Sequence, residues 1–504
     1  MHYKYFLILL MPVILVTGCK DRAPQPEKKA AAPVIAVPGT PKPGCRQCHN
    51  SINLDKQHQF ACESCHRGDN TATEKDKAHS GLIAQPASPA NMATGCGKCH
   101  PEQIQKCAGS LHFTVQKAVN LTRRHFGATA PVASLTAIPL QEKDPALALV
   151  DDMLRRRCLR CHLYSKGDNY PYIRRGTGCA ACHLQFSGGR LQSHRFLKAP
   201  GDWQCISCHY SNHVGADYYG QFEHDFNWEY RTPYATPEPY LRPYGVEVHD
   251  LVPDIHQQKG LICIDCHNLP EMQAGQGTKQ KQKQKTSEHR LTCLGCHGRG
   301  KAGIPSPVIQ GLAMKNGQRI FIDHSGTTHK VPMLQHPAHK KYGREVSCQV
   351  CHAQWSFYDN ATYLLRSETD DFDMMERLTV QASSWVEQLL EHNLNSDEDE
   401  LDPTMPDGIT GRIRRGIWYK GFGQRRWATV IVRRDRDGVI KVFRPILNLH
   451  LSAVDSEGKV IFDNLTGRND GFLPYTPHTT GPAGLFYLDR FKDLLNKGKK
   501  TDHE

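Results

Sequence analysis

The chain is short of the material from which a protein core is usually built. Apolar residues make up 39% of its 504 positions and aromatics 8%, against an apolar share of ~45–50% in ordinary soluble domains. Gly and Pro number 41 and 31. A length that would ordinarily divide into two to four domains therefore lacks the side chains for a large core of its own. Spare cysteines are lacking too. Of 20 cysteines, all but Cys19 and Cys107 fall into one short recurring word, which leaves none for a disulfide scaffold. No nucleophile triad, phosphate loop or nucleotide fingerprint is present. The +12 formal charge comes without a zinc finger or an aromatic–basic alternation, so it is not a nucleic-acid footprint. No strict sequence repeat marks a solenoid.

The recurring word is Cys-x-x-Cys-His. It occurs at Cys45/Cys48/His49, Cys62/Cys65/His66, Cys96/Cys99/His100, Cys158/Cys161/His162 and Cys179/Cys182/His183. It continues at Cys205/Cys208/His209, Cys263/Cys266/His267, Cys293/Cys296/His297 and Cys348/Cys351/His352. Composition predicts about 0.04 such words by chance, so nine require a chemical cause. Cys-x-x-Cys alone fits a redox dithiol or half a zinc site. The invariable histidine points instead to covalent attachment of c-type haem, in which two thiols add to the porphyrin vinyl groups and the histidine approaches the iron from one face. Nine haems would supply the missing core. With two propionates on each, they would also bring the formal charge to about +3 oxidised and about −6 reduced.

On these motifs the sequence resembles the multihaem c-type cytochromes over residues 45–352. "GCGKCHPEQ" at 95–103, "DIHQQKGLICIDCHN" at 254–268 and "CQVCHAQWSFYD" at 348–359 are similar to phrases in the larger members from metal- and sulfur-respiring bacteria. The resemblance implies nine c-type haems, other redox proteins of the cell envelope as partners, and no nucleic acid. It implies a mostly irregular and α-helical fold built around stacked haems.

The second axial ligand of each iron decides the function. Nine of 28 histidines are spent in the motifs, and 14 of the remaining 19 lie within residues 45–352. The distal candidates are His58, His79, His112, His194, His213, His224, His256, His289 and His339. A histidine shortly before one motif can serve a neighbouring haem. If every iron has two histidines, the protein is an electron conduit, suited to anaerobic or extracellular respiration, with no catalytic residue. An open iron would make it a multihaem oxidoreductase acting on a nitrogen or sulfur oxyanion, or a hydroxylamine oxidoreductase-like enzyme. A haem-bearing filament subunit is a further form of the conduit. No Cys-x-x-Cys-Lys occurs, which removes one familiar mark of a catalytic haem. Cys107 reads first as a buried or merely free thiol, with a haem-ligand or sulfur-substrate role as the alternative.

Residues 1–18 have a basic start and an apolar run of signal-peptide length. The run ends in Val16-Thr17-Gly18-Cys19, which looks like a bacterial lipobox with Cys19 as the acylated residue. Lys20, not Asp, follows, and by the sorting rule of enteric bacteria this points to a lipid anchor in the outer membrane of a Gram-negative cell. Residues 19–44 read as a Pro/Ala/Lys-rich tether. The basic low-complexity stretch 273–290 reads as a solvated loop, with docking of an acidic partner as the alternative.

After residue 352 the motifs stop. Residues 353–504 read as a small α+β or β-meander module. The pattern predicts an amphipathic helix over 374–394, with Leu378, Ala382, Trp385 and Leu389 on one face. It predicts strands in 426–435, 439–455 and 459–465, turning at Asp437-Gly438 and Glu457-Gly458. His478 reads first as a structural histidine, with haem contact as the alternative.

Overall fold

The computed structural model describes residues 44–497, except 174, 211–214, 225–241, 268–291, 299–308, 360, 376–379, 422–424, 428, 446–447 and 469–470. The predicted signal peptide and nearly all of the tether, the stretch 273–290 and Leu378 lie outside the described residues. So do His213, His289 and the side chain of His224. No helix among the described residues is long and apolar enough to cross a membrane.

The motif-bearing part is built from short turns. Helices Glu63–His66, Ala180–His183, Cys263–Cys266, Cys293–His297 and Cys348–His352 are each a single turn lying on a motif. From residue 44 to residue 112, only Ala87 and Met92 are buried hydrophobic side chains. Three motifs thus sit in a stretch with almost no protein core.

An ordinary core begins where the motifs thin out. Helix Gln116–His125 and helix Pro145–Met153 fill the long gap between the third and fourth motifs. Pro145 occupies the first helical turn, and the Asp144 carboxylate accepts from the amides of Ala146 and Leu147, a fitted N-cap. Val119, Val150 and Met153 from these helices pack with Val386, Trp418 and Leu451 of the C-terminal segment. The compositional change at residue 352 therefore marks a change of local architecture, with continuous packing across it.

In that segment, strand Thr362–Ser367 lies between Ile417–Lys420, which runs antiparallel to it, and Leu449–Val454, which runs parallel. Val460–Thr466 adds an antiparallel edge. The parallel pair means that the sheet is not a simple meander. A second sheet joins Ile431–Arg434, Ile440–Pro445 and Phe472–Pro474. The two predicted Asp-Gly and Glu-Gly turns hold, with Gly438 and Gly458 both at φ +80°, a conformation that costs glycine little. The long strand predicted over 439–455 is divided between the two sheets. The predicted helix is shorter, Ser384–Asn395. Ala382 takes φ +47° and Ser383 is extended, so the helix cannot run through them.

Buried polar pairs join the gap helices to one another and tie them to this segment. Arg123 meets Asp151 at 2.7 Å, and Arg156 meets Asp152 at 2.6 Å. The Trp418 indole N–H donates to Asp152 at 2.8 Å. Arg155 grips Asp407 with two hydrogen bonds of 2.6 and 3.2 Å, across 252 residues of sequence. Burial by itself would raise the Asp407 carboxyl. The Arg155 guanidinium and the amides of Thr410 and Ile409 outweigh it and hold the group below the ordinary carboxylate range. A carboxyl depressed in the fold contributes stability above its unfolded pKa of about 3.9 and loses that contribution as pH falls through its folded value. Asp407→Asn leaves the Arg155 charge buried and unpaired. At pH 7 it is expected to lower stability by about 3–5 kcal/mol, with the gap to wild type closing in strong acid. Urea unfolding followed by far-ultraviolet circular dichroism reads this, and a variant unchanged at pH 7 would refute it.

Candidate cofactor sites

The spacing Cys-x-x-Cys-His matches one helical turn, which brings positions i, i+3 and i+4 to a common face. In six motifs the histidine amide donates to the carbonyl of the first cysteine at 2.8–3.0 Å: His49 to Cys45, His66 to Cys62, His100 to Cys96, His183 to Cys179, His209 to Cys205 and His267 to Cys263. The eighth and ninth motifs are themselves helices. All 18 motif cysteines are free of disulfides.

The cysteines are not equally enclosed. A thioether site that serves as core calls for covered thiols, and 13 of the 18 are partly buried. Cys48 and Cys99 depart from this expectation, because both are exposed. The reason is local. Each is the second cysteine of a motif within residues 44–112, where almost no apolar side chain is present to cover it. At these two positions the cysteine stands on an open surface. Cys293 is exposed as well, as are Cys158 and Cys161 of the fourth motif.

Seven motif histidines face a second imidazole. The ring centres are 6.3 Å apart in His49–His79, His100–His58 and His66–His194. They are 6.5 Å apart in His209–His112 and 6.1 Å in His297–His256 and His352–His339. In His267–His478 they are 6.2 Å apart. A metal ion between two imidazole nitrogens, with bonds of about 2.0 Å and roughly 1.1 Å from nitrogen to ring centre, sets the centres about 6.2 Å apart. The seven distances match this value, though neutral rings in contact could approach more closely. These residues fit an axially ligated iron.

Hydrogen bonds at the other ring nitrogen orient these histidines. Nδ1 of His66, His183, His297 and His352 lies 2.8–2.9 Å from the carbonyls of Ile83, Leu197, Pro332 and Gly481 respectively. A carbonyl only accepts, so Nδ1 carries the proton and Nε2 keeps its lone pair for a metal. Carboxylates do the same for two partners, and a third carboxylate lies near His478. Asp55 meets His58 at 2.9 Å, Asp254 meets His256 at 2.8 Å, and Asp217 lies 3.6 Å from His478. Burial lowers the His478 imidazole, but Asp217 outweighs it and raises the group. The hydrogen bond from Asp254 raises His256.

Six of the nine predicted distal histidines therefore stand opposite a motif histidine, and the other three fall outside the description. His58 and His256 each precede one motif in sequence yet face the histidine of the next. His478, whose sequence context suggests a structural role, faces His267. No local signal distinguishes it. It is placed by a strap in which Thr480 donates to Asp254 at 2.7 Å and Gly481 to the His352 carbonyl at 2.9 Å. Cys107 is half-buried and free, with its thiol raised by burial.

The motifs also touch one another. The thiol of Cys96 meets Cys179, Cys205 meets Cys263, and Cys293 meets Cys348. Helix Ala180–His183 packs on Asp202–Ile206. The third, fifth, sixth and seventh motifs thus form a line, and Cys161 meets Cys208 to set the fourth beside it.

The fourth motif departs from the pattern. A π-type turn, Leu154–Cys158, runs into it, and Arg160, not His162, donates to the Cys158 carbonyl, at 2.9 Å. Its two cysteines are exposed, while His162 is 2% exposed. The His162 Nδ1 accepts from the Tyr164 amide at 3.1 Å, and its buried Nε2 has no well-aligned hydrogen-bond partner. Burial, with Arg175 nearby, pushes the ring down to about 4, and the carbonyls of Leu159 and Gly408 offset this only in part. The ring is therefore neutral at pH 7. Neither His162 nor His183 faces a second imidazole among the described residues. Among those residues no group of three or more His, Cys, Asp or Glu side chains is arranged to hold a bare metal ion.

No protein-family model, curated protein or solved structure matches the chain.

Proposed function

We propose that the chain is a multihaem c-type cytochrome that carries electrons through the cell envelope of a Gram-negative bacterium. The observation that carries this reading is the set of seven imidazole pairs, each joining a Cys-x-x-Cys-His histidine to a second histidine at 6.1–6.5 Å. Bound haem supplies one-electron exchange at an iron whose potential is tuned by its ligands, burial and hydrogen bonding. The chain's own residues do the rest. Eighteen cysteines fix nine groups covalently. At seven sites the paired histidines would hold the iron of the group and so would exclude substrate from it. Backbone carbonyls and the carboxylates of Asp55 and Asp254 hold their rings in the ligating tautomer, and Asp217 accepts from the His478 amide. Touching motifs bring neighbouring groups close, which favours hopping along the line. The partners are other redox proteins of the envelope, and acylated Cys19 with the segment behind it anchors the protein to a membrane.

The primary test is haem content. A pyridine haemochrome assay with intact-mass measurement on protein matured in a c-type cytochrome-competent host is expected to give nine covalent haems per chain. A chain without haem would end this reading. Alkylation of the denatured, reduced protein is then expected to label Cys107 and none of the 18 motif cysteines, the exposed Cys48 and Cys99 included. His478→Ala removes one imidazole of a pair. It is expected to convert one low-spin ferric signal to high spin in the electron paramagnetic resonance spectrum and leave the rest unchanged. An unaltered spectrum would remove His478 from the ligand set. Cys19→Ser is expected to move the protein from the membrane fraction to the soluble envelope fraction. Retention in the membrane fraction would exclude the lipid anchor.

A further inference from the structure

Helix Pro145–Met153 carries Pro145, Ala148, Leu149 and Asp152 at the i, i+3, i+4, i+7 spacing of one face. Together with the C-terminal segment this face lines a cavity of about 340 Å³, at the small end of the ~300–1,000 Å³ that ligand sites occupy. Strand Thr362–Ser367 contributes Arg366, strand Ile413–Arg415 contributes Arg414, and the edge strand Val460–Thr466 contributes Phe462. Leu140 and Glu142 come from the loop before the helix. No cysteine or histidine of a Cys-x-x-Cys-His motif lines the cavity, so the site is independent of the haem count.

The charged side chains around the cavity form two clusters of opposite sign. In the first, three guanidiniums surround Asp152. Arg156 donates to its Oδ2 at 2.6 and 3.0 Å. Arg414 lies 3.1 Å from its Oδ1, and Arg366 lies 4.0 Å from its Oδ2. Glu368 meets Arg366 at 3.1 Å. Three cations against two carboxylates leave one positive charge over. Asp152 is 6% exposed, yet its buried Oδ1 and the buried Nε of Arg366 have no well-aligned hydrogen-bond partner. Burial lowers the Arg156 guanidinium, Asp152 opposes this, and Arg414 and Arg366 push it lower again, as crowded like charges do.

In the second cluster two carboxylates share one guanidinium. Arg123 donates to Asp151 at 2.7 and 3.2 Å and to Glu142 at 3.2 Å, which leaves one negative charge over. Surplus charge in a buried or half-buried place is costly unless it is paired. A simple anion would answer only the first cluster, and a simple cation only the second. A molecule with both charges and an apolar body answers the whole lining, since Leu140, Pro145, Leu149 and Phe462 supply apolar wall.

We propose that this cavity binds a small zwitterion, an α-amino acid with an apolar side chain. Its carboxylate meets Arg366 and Arg414, its ammonium meets Glu142, and its side chain lies against Leu140, Leu149 and Phe462.

The probe is L-leucine, titrated calorimetrically into the full-length protein with its cofactors in place. Saturable binding of one equivalent is expected. The analogue 4-methylpentanoate lacks the ammonium and 3-methylbutylamine lacks the carboxylate, and each is expected to bind at least about tenfold more weakly. Arg366→Gln and Glu142→Gln are each expected to weaken leucine binding about tenfold. If Arg366→Gln does not accumulate, Arg414→Gln, at a side chain 39% exposed, takes its place. Leu140→Ser, at a residue 55% exposed, is expected to weaken binding several-fold. Absence of saturable leucine binding would overturn the inference and leave the electron-carrier reading in place. Equal affinity for 4-methylpentanoate would reduce the cavity to a carboxylate site, and equal affinity for 3-methylbutylamine to a cation site, and either result would overturn the zwitterion. Leucine affinity unchanged in both charge variants would place the ligand elsewhere and overturn the assignment.

Discussion

The facing of two imidazoles about 6 Å apart is the constraint around which the motif-bearing region is arranged. Each such pair takes one ring from a five-residue turn and the other from a distant segment. His66 meets His194, His209 meets His112, and His267 meets His478. Few apolar side chains draw these segments together, since residues 44–112 bury almost none. Imidazole rings held apart at that distance attract each other little by themselves. On the proposed reading each pair would hold one iron, with the flat, apolar body of a porphyrin as the packing surface. The open positions of Cys48 and Cys99 fit the same picture, because a thiol joined to such a body is covered by it and not by side chains. The short helices follow from the same need. A single turn suffices to place two thiols and one imidazole on a face, and longer helices would crowd the group.

The C-terminal segment has a different basis. Its core is conventional, with Trp418, Leu451 and Val386 packed against two helices from the gap between the third and fourth motifs. Buried pairs such as Arg155–Asp407 join pieces 252 residues apart. This segment also supplies His478 and the Gly481 carbonyl that orients His352. It therefore positions two of the proposed sites. The polar network around Arg157 and Arg160 depends on it as well, because the carbonyls of Gln381 and Ala382 receive those guanidiniums.

The departure of the fourth motif has an identifiable origin. It follows directly on a helix that the core holds rigidly, through Asp151, Asp152 and Arg155, and the helix widens into a π-type turn as it reaches Cys158. Helices also lead into the third and sixth motifs, at Met92–Gly95 and Asp202–Ile206, but among the described residues only the fourth is entered through a π-type turn. His162 is consequently carried inward, where the Tyr164 amide fixes its tautomer.

The sequence by itself determined the number and place of the Cys-x-x-Cys-His motifs, the turns at Gly438 and Gly458, and a pool from which six partner histidines came. These are local properties. A five-residue word, a composition or a glycine at positive φ carries its meaning without reference to the rest of the chain. Only the tertiary structure decided which histidines meet, that His478 is among them, that Cys48 and Cys99 stand open while their motif neighbours are partly covered, that Ala382 interrupts the predicted helix, and that His162 is buried while the cysteines of its motif are exposed. Each of these depends on contacts between segments far apart in sequence, and a histidine's ring direction is set by whatever accepts from, or donates to, its second nitrogen. No spacing rule carries that information, because the carbonyl of Gly481 or the amide of Tyr164 becomes a partner only when the backbone has folded to present it.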